Sequence, residues 1–213
     1  MGVSEELYFS TPIYAGLVAE ADELNPMLLG LAYAEREADR QGTERSVYRA
    51  LNGWHSQVSL HRDPRFTPVV AAIERELEHV STDSGYDPAW RLAIDSMWVI
   101  INGPGGSNQT HIHPKCLWSG VYYVQTPPRC GDIEFTDPRT PMLMDPPRYR
   151  PNTTKKRSRW TKVTFTPSPG KLVVFPSWLY HGVSPNLASA TGDDADRVIV
   201  SFNAVQRRQQ KSS

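Results

Sequence analysis

Apolar residues in the first half of the chain recur three and four positions apart, which is the spacing of an amphipathic helix. Asn25 followed by Pro26 predicts the N-cap and first residue of one helix, and Gly42 predicts its end. Asp63 followed by Pro64 repeats this start signal, and the polar segment STDSGYDP predicts the end of the second helix. The apolar positions of the second helix are Phe66, Val69, Val70, Ile73, Leu77 and Val80.

After about residue 90 the pattern changes to short segments rich in β-branched and aromatic residues, bounded by glycine and proline. These segments are RLAIDSMWVIIN, LWSGVYYV, DIEF, WTKVTFT, KLVVF and RVIVSFN. Many short strands separated by turn signals predict a sandwich or barrel. We therefore expect a single α+β, mainly β domain over residues 1–213, in which a helical support region (1–89) packs outside a β core (90–205).

One segment, residues 137–159, fits neither pattern, and residues 206–213 are expected to form a tail. The segment contains five prolines and no clear periodicity. Between positions 139 and 162 the only acid is Asp145, against eight basic residues: Arg139, Arg148, Arg150, Lys155, Lys156, Arg157, Arg159 and Lys162. Loops of this length inside compact domains are uncommon unless they are functional or disordered. Two interpretations stay open, a mobile solvated loop and a lid or binding surface for an anionic partner.

Composition and charge indicate an ordinary soluble protein. Hydrophobic residues make up 39% of the sequence, and 23 basic residues balance 23 acidic ones, so net charge does not indicate nucleic acid as a partner. There is no apolar run of about 18 residues and no signal-peptide pattern, so neither a membrane span nor export is expected. Without export, Cys116 and Cys130 are expected as free thiols in a cytoplasmic protein.

Two histidines in the sequence HIH, and a third much later, are the first candidates for chemistry. His111 and His113 are two residues apart, so on a strand their side chains would face the same side and converge on one point. His181 follows a strand that Pro176 ends, and in a jelly roll this late segment returns beside the first pair. Together they predict a metal site. The other histidines are expected at the surface: His55, His61 and His79.

An arginine at the start of the last apolar strand is the second candidate. Burying a charge is costly unless the charge is paired, so Arg197 requires a partner. Arg197 and Ser201 share one face of the strand, and a guanidinium followed by a hydroxyl is suited to bind a carboxylate. The alternative is an ion pair with Asp194 or Asp196.

These motifs, read together, resemble the Fe(II)- and 2-oxoglutarate-dependent oxygenase superfamily. The similarity rests on HIHP, SGVYYV, GDIEF, PGKLVVFPSWLYHGVSPN and RVIVSFN, and it covers roughly residues 90–205. Within the superfamily the sequence is most similar to a group of uncharacterised oxygenases from marine bacteria and phages. The resemblance implies a double-stranded β-helix (a cupin-like jelly roll) with helices packed on one side.

The same resemblance implies roles for particular residues. Iron would be bound by the histidine pair and His181, and the distal carboxylate of 2-oxoglutarate by Arg197 with help from Tyr123. Asn102, nine residues before His111, is a further candidate contact to 2-oxoglutarate.

The sequence departs from the superfamily at one ligand position. The usual triad is two histidines and one carboxylate, but His113 stands where the acid is expected. The site is then a three-histidine centre, or His113 lies outside the ligand set, or Asp132 or Glu134 completes the site from the next strand. The three-histidine centre requires the fewest further assumptions.

The predicted function is a non-haem iron dioxygenase that uses 2-oxoglutarate and O2 to hydroxylate a substrate that no motif identifies. No catalytic residue is expected beyond the metal centre. The alternatives are a cupin-like three-histidine metal enzyme that does not use 2-oxoglutarate, and a non-catalytic jelly-roll binding module. No membrane partner is expected, and a homodimer is one option for the oligomeric state.

Overall fold

The computed structural model describes residues 2–47, 50–139, 144 and 147–209. Its helices are α1 (Ala21–Ala38), α2 (Gly42–Val47) and α3 (Thr67–Asp83), and short 3₁₀ turns occur at Leu60–Arg62, Pro64–Phe66, Arg157–Arg159 and Gly192–Ala195. Its strands are β1 (Tyr14–Leu17), β2 (Ala50–His55), β3 (Trp90–His111), β4 (Trp118–Gln125), β5 (Ile133–Thr136), β6 (Lys162–Phe165), β7 (Lys171–Pro176), β8 (His181–Val183) and β9 (Arg197–Arg208).

The described strands form one curled antiparallel sheet in the order β1-β7-β4-β9-β3-β8-β5-β6, and β2 also pairs with β3. The long strand β3 connects two parts of this sheet. Its residues 90–102 pair with β9, and its last residues, from Asn108 to His111, pair with β8. The sheet curls at this change of partner, so the ends of β3, β4, β5, β8 and β9 surround a common interior.

The two faces of the sheet pack into separate cores. On β9, Val198, Val200 and Phe202 face the core that α1 and α3 cover, whereas Ile199 faces the interior of the curl. A strand buried on both faces shows a continuous apolar run rather than alternation. This burial explains why segments such as KLVVF could be recognised as strands from the sequence, and all six predicted strands are present.

The first predicted helix begins earlier than its proline signal indicated. α1 starts at Ala21, so Pro26 lies inside the helix rather than at its first position. Leu24 and Leu28, one turn apart, are both buried under the sheet. Packing of Leu24 therefore extends the helix on the N-terminal side of Pro26. The Asn25 side chain does not cap the helix and instead accepts a hydrogen bond from the Tyr122 hydroxyl (2.7 Å).

The second predicted helix lies where the sequence indicated. The Asp63 carboxylate accepts a hydrogen bond from the backbone N–H of Arg65 (2.9 Å) and caps a 3₁₀ turn that leads into α3. Pro68 lies in the first turn of α3, where its missing N–H needs no partner. Three strands were not predicted, namely β1, β2 and β8, and two of them lie in the segment expected to be helical support. β9 also continues to Arg208, three residues into the expected tail.

The proline-rich segment 137–159 lies only partly within the described residues, because positions 140–143, 145 and 146 fall outside them. In its described parts, Arg139 pairs with Asp137 (2.8 Å). Lys156 and Arg159 both pair with Glu5 of the N-terminal segment (2.6 and 3.1 Å). Both cysteines are free thiols. No described helix has the length and apolar character needed to cross a bilayer.

We predict that Gly42→Ala destabilises the protein by about 1–3 kcal/mol, the usual range for overpacking. A Cβ atom at position 42 would overlap the indole ring of Trp54, which is buried and donates a hydrogen bond to the Asp39 carbonyl (2.7 Å). Gly30→Ala is the matched control, because nothing lies within 4 Å of its Cβ position in α1. It should stabilise by about 0.5–1 kcal/mol. Urea unfolding of both variants tests this, and equal stability of the two would contradict the close approach.

Candidate metal centre

Three histidines form the one cluster of potential metal ligands found among the described residues. Each of His111, His113 and His181 offers a ring nitrogen, and these nitrogens all lie within 4.8 Å of one another. The Nε2 atoms of His113 and His181 are 3.2 Å apart. Two nitrogens bound to one ion at about 2.1 Å and at right angles are about 3 Å apart, so this pair fits neighbouring positions around a single ion.

Different elements position the three side chains. His111 is the last residue of β3 and lies directly opposite His181, the first residue of β8. His113 lies beyond the end of β3, in the turn that leads to β4, so strand alternation alone does not bring it to the site. Its backbone N–H donates to the Ser177 carbonyl (2.9 Å), which holds this turn against the segment before His181.

Hydrogen bonds to carbonyl oxygens select the ring tautomer of two of the histidines. The Nδ1 of His111 lies 2.7 Å from the Gln109 carbonyl, and the Nδ1 of His181 lies 2.9 Å from the Leu179 carbonyl. A carbonyl can only accept, so Nδ1 is the protonated nitrogen in both rings. Nε2 then carries the lone pair that a metal requires, an arrangement typical of metal-binding histidines.

Burial keeps His181 neutral over most of the pH range. Desolvation, with a smaller contribution from the charge of His111, lowers the pKa of His181 to about 4. A neutral imidazole is the form that binds metal, so protons compete weakly at this ligand.

Neither of the two carboxylates considered as an alternative way to complete the site joins the histidine cluster. Glu134 lies on β5 and pairs with Lys162 of β6 (2.6 Å), and Asp132 is absent from the group of convergent ligand atoms. The described residues therefore offer three imidazole nitrogens and no acid. The chemistry of this donor set suits a divalent first-row metal such as Fe(II).

The histidines line one wall of a small cavity of about 50 Å³ inside the curl of the sheet. Much of the remaining wall is apolar, with Ile100, Val121, Ile133, Phe175 and Ile199 among the lining residues. Three of the four residues expected to contact 2-oxoglutarate line the same cavity: Arg197, Tyr123 and Ser201. Burial raises the pKa of the Tyr123 hydroxyl, so it remains a neutral hydrogen-bond donor.

Arg197 is fully buried and has no carboxylate partner among the described residues. Its Nη1 donates to the carbonyls of Cys130 and Ser184, and its buried Nε–H has no hydrogen-bond partner. Of the two alternative partners, Asp196 pairs instead with Arg36 (3.1 Å), and no ion pair joins Asp194 to Arg197 among the described residues. Desolvation lowers the pKa of Arg197, and a guanidinium is still charged at neutral pH.

Two neighbouring residues, Asn102 and Gly131, determine how this guanidinium is held. Asn102 does not line the cavity. Its side-chain oxygen accepts a hydrogen bond from Nη2 of Arg197 (3.2 Å), so it contacts the arginine rather than a cavity ligand. Gly131 has a φ of +92°, and a Cβ there would overlap the Ser184 carbonyl and lie 2.8 Å from Nη1 of Arg197. The arginine is thus held by backbone carbonyls that only a glycine allows to approach.

His55 was expected at the surface, and this expectation is wrong. It is the last residue of β2, it is buried, and it lines the cavity. Its ring stacks on Trp98 at 5.6 Å between centroids, and the Trp98 ring lies 5.8 Å from that of His113. No local pattern could reveal this role, because β2 is positioned by its pairing with β3 rather than by its own sequence.

Solved structures with the same fold are distant in sequence. A prolyl-4-hydroxylase of Pseudomonas putida is 13% identical with a TM-score of 0.56, and the alignment covers 93% of this chain and 94% of that one. A prolyl hydroxylase of Trichoplax adhaerens, in complex with a hypoxia inducible factor peptide, is 14% identical with a TM-score of 0.57, over 91% and 83% of the two chains. A viral collagen prolyl hydroxylase of Paramecium Bursaria Chlorella virus-1, in complex with 2OG, is 14% identical with a TM-score of 0.55, over 90% and 94%. They confirm the predicted double-stranded β-helix.

Sequence comparison identifies the family. No curated protein matches the chain. The family model described as "Putative 2OG-Fe(II) oxygenase" matches residues 96–203, which is 108 of the 213 residues and includes all three histidines and Arg197. Members of this family use Fe(II) and 2-oxoglutarate. The chain, with its jelly-roll core and its three convergent histidines, therefore belongs to the 2-oxoglutarate- and Fe(II)-dependent oxygenase family.

Proposed function

We propose that this oxygenase holds Fe(II) with His111, His113 and His181, binds 2-oxoglutarate through Arg197, and hydroxylates a C–H bond of a substrate that reaches the cavity. With both groups bound, O2 supplies one oxygen atom to the substrate and one to succinate, and CO2 is released. The cytoplasmic location, a homodimeric state and the closeness to marine and phage proteins stay predictions.

The observation that carries the proposal is the buried, unpaired Arg197 beside the three histidines. A buried guanidinium without a counter-ion is unfavourable by several kcal/mol. Because no described acid pairs with it, and because it lines the same cavity as the histidines, an anionic ligand is the partner that the site lacks. A dicarboxylate such as 2-oxoglutarate could reach the histidine cluster with one end and Arg197 with the other.

The chain's own residues would orient this ligand and exclude water. The unpartnered Nε–H of Arg197 provides a donor for the distal carboxylate, while Asn102 and the Cys130 carbonyl hold the guanidinium plane. The hydroxyls of Tyr123 and Ser201 add donors on the same wall. The apolar side chains around them lower the local dielectric, which strengthens this charge-assisted contact.

We predict that the purified protein binds about one Fe(II) per chain and that His111→Ala or His181→Ala abolishes binding, because each removes one of three ligands. His113→Ala should also lose most of the iron. Elemental analysis of anaerobically loaded protein measures the occupancy.

His79→Ala is the control for the metal experiment, because His79 is exposed on α3 and should leave iron content unchanged. Full iron occupancy in both the His111 and His181 variants would show that the cluster does not bind the metal. Full occupancy in the His113 variant alone would remove His113 from the ligand set.

We predict that Arg197→Ala weakens 2-oxoglutarate binding roughly 30-fold or more. Removing one partner of an arginine–carboxylate pair in a partly dry pocket is worth about 2–5 kcal/mol, and each 1.4 kcal/mol is about tenfold. Arg197→Lys should recover only part of the loss, because an ammonium cannot reproduce a two-pronged contact. Calorimetric titration of 2-oxoglutarate into anaerobic iron-loaded protein measures the affinity.

Arg207→Ala is the matched control, since Arg207 lies on the same strand but outside, paired with Asp95 (2.8 Å). Iron binding and the thermal melting of the Arg197 variants separate a local effect from unfolding. Unmutated protein that does not bind 2-oxoglutarate would favour a three-histidine enzyme without this co-substrate. Binding that is indifferent to Arg197 would move the anchor to another residue.

A further inference from the structure

A second, larger depression lies beside the metal cavity and is not used by the proposed co-substrates. This groove, of about 480 Å³, runs between the N-terminal segment 5–13 and the segment 157–163. Phe135 and Leu179 form part of its floor. The Phe135 ring lies 6.1 Å from the His181 ring, and the Leu179 carbonyl accepts the hydrogen bond from His181 Nδ1. The groove is therefore one side-chain layer from the metal centre.

The strand β6 borders this groove and has an open edge. It is the last strand of the sheet and, among the described strands, it pairs only with β5. The backbone N–H of Asp137 donates to the carbonyl of Thr161, the residue before β6 (2.9 Å), whereas the N–H of Thr136 points the other way, to the Tyr180 carbonyl (2.9 Å). Antiparallel pairs alternate between bonded and non-bonded positions. It follows that the backbone N–H and C=O groups of Lys162 and Thr164 point outward from the sheet.

Exposed aromatic side chains stand on both sides of the groove. On the N-terminal wall Tyr8 is 72% and Phe9 is 91% exposed, and on the opposite wall Trp160 is 41% exposed. Apolar surface of this extent beside a free strand edge is typical of a binding surface rather than of ordinary solvent-facing structure.

The charges of the groove do not favour a polyanion. The cations that line it are Arg139, Arg157, Arg159 and Lys162, and the acids are Glu5, Glu6 and Asp137. Three of the four cations already form ion pairs with described carboxylates, and Arg157 is the exception. The positive charge of the proline-rich segment 137–159 is thus largely neutralised where this segment borders the groove. An extended chain with apolar side chains and free backbone groups complements this surface better than a nucleic acid does.

We propose that the groove binds an extended polypeptide segment, which adds as a strand to the outer edge of β6 and packs its side chains between Phe9 and Trp160. Main-chain hydrogen bonds to Lys162 and Thr164 supply affinity, and the aromatic walls supply selectivity, as in other cases of strand addition. The four-residue length of β6 suits a single short segment. This inference rests on the proposed function in one respect, that the bound segment carries the residue to be oxidised.

The test uses a phage-displayed library of random twelve-residue peptides, selected on the full-length iron-loaded protein with 2-oxoglutarate under anaerobic conditions. Enriched peptides are labelled with fluorescein, and their affinities are measured by fluorescence anisotropy. Thr164→Pro removes one outward N–H and obstructs an incoming strand, but it leaves the hydrogen bonds to β5 intact because its N–H does not face β5. We expect at least a tenfold loss of peptide affinity.

Thr164→Ala is the matched control, which keeps the N–H and should bind peptide within about twofold of the unmutated protein. Two sets of methylated peptides give a second test, one with methyl groups on the odd-numbered backbone nitrogens and one on the even-numbered nitrogens. Only one of the two sets should lose affinity, because strand pairing has a period of two. Melting temperature and iron content establish that the proline variant is folded.

Several results would overturn the proposal. The library could yield no binding peptide, or Thr164→Pro could leave the peptide affinity unchanged. Methylation of either set of alternate backbone nitrogens could also lower the affinity equally. Tighter binding of a labelled random twelve-nucleotide single strand, equally strong in the proline variant, would assign the groove to nucleic acid. Iron binding and 2-oxoglutarate binding are measured in separate titrations without peptide. A failure of the proposed function can therefore be distinguished from a failure of peptide binding.

Discussion

The change of partner along β3 is the constraint on which the rest of the structure depends. One strand pairs with β9 over residues 90–102 and with β8 at its end, so it belongs to both halves of the curled sheet. The first pairing places Asn102 opposite Arg197, and the second places His111 opposite His181. A single strand therefore sets the distance between the metal ligands and the candidate anchor for the co-substrate. Any change of register on β3 would alter both at once.

The interior of the curl contains polar and charged groups that are unfavourable to bury, together with hydrogen-bond partners that hold them in place. A guanidinium and three imidazoles face one another across an apolar cavity, and the guanidinium has no counter-ion of its own. Backbone carbonyls and Asn102 compensate part of its desolvation. Such an incompletely satisfied site is stable only within a scaffold that is well packed on its other side, and the second core under α1 and α3 provides that packing.

The sequence was sufficient to predict those features that local chemistry determines. β4, β7 and β9 are recognisable because burial on both faces makes them apolar, whereas β5 and β6 are recognisable because their apolar and polar residues alternate. Arg197 is recognisable because a charge at such a position requires a reason. The sequence could not show that β3 continues past Gly103-Pro104-Gly105, since β2 pairs with β3 only on either side of this segment and the backbone of the distant Asn186 bonds to Gly105 and Gly106. It also could not show that His113 lies past the strand, where Ser177 positions it. The burial of His55 in the cavity wall could not be predicted for the same reason, because its position depends on a partner strand that is distant in sequence.

Gly131 offers a way to separate the two halves of the site. Its Cα approaches the Ser184 carbonyl and the Arg197 guanidinium so closely that even one methyl group would displace them, and the three atoms nearest to that methyl group all belong to Ser184 and Arg197, not to the histidines. Any larger residue at this position would displace the Ser184 carbonyl and the guanidinium that it helps to hold. The residue after Cys130 therefore has to be glycine for the arginine to be held in this position, whereas the metal ligands place no such requirement on it.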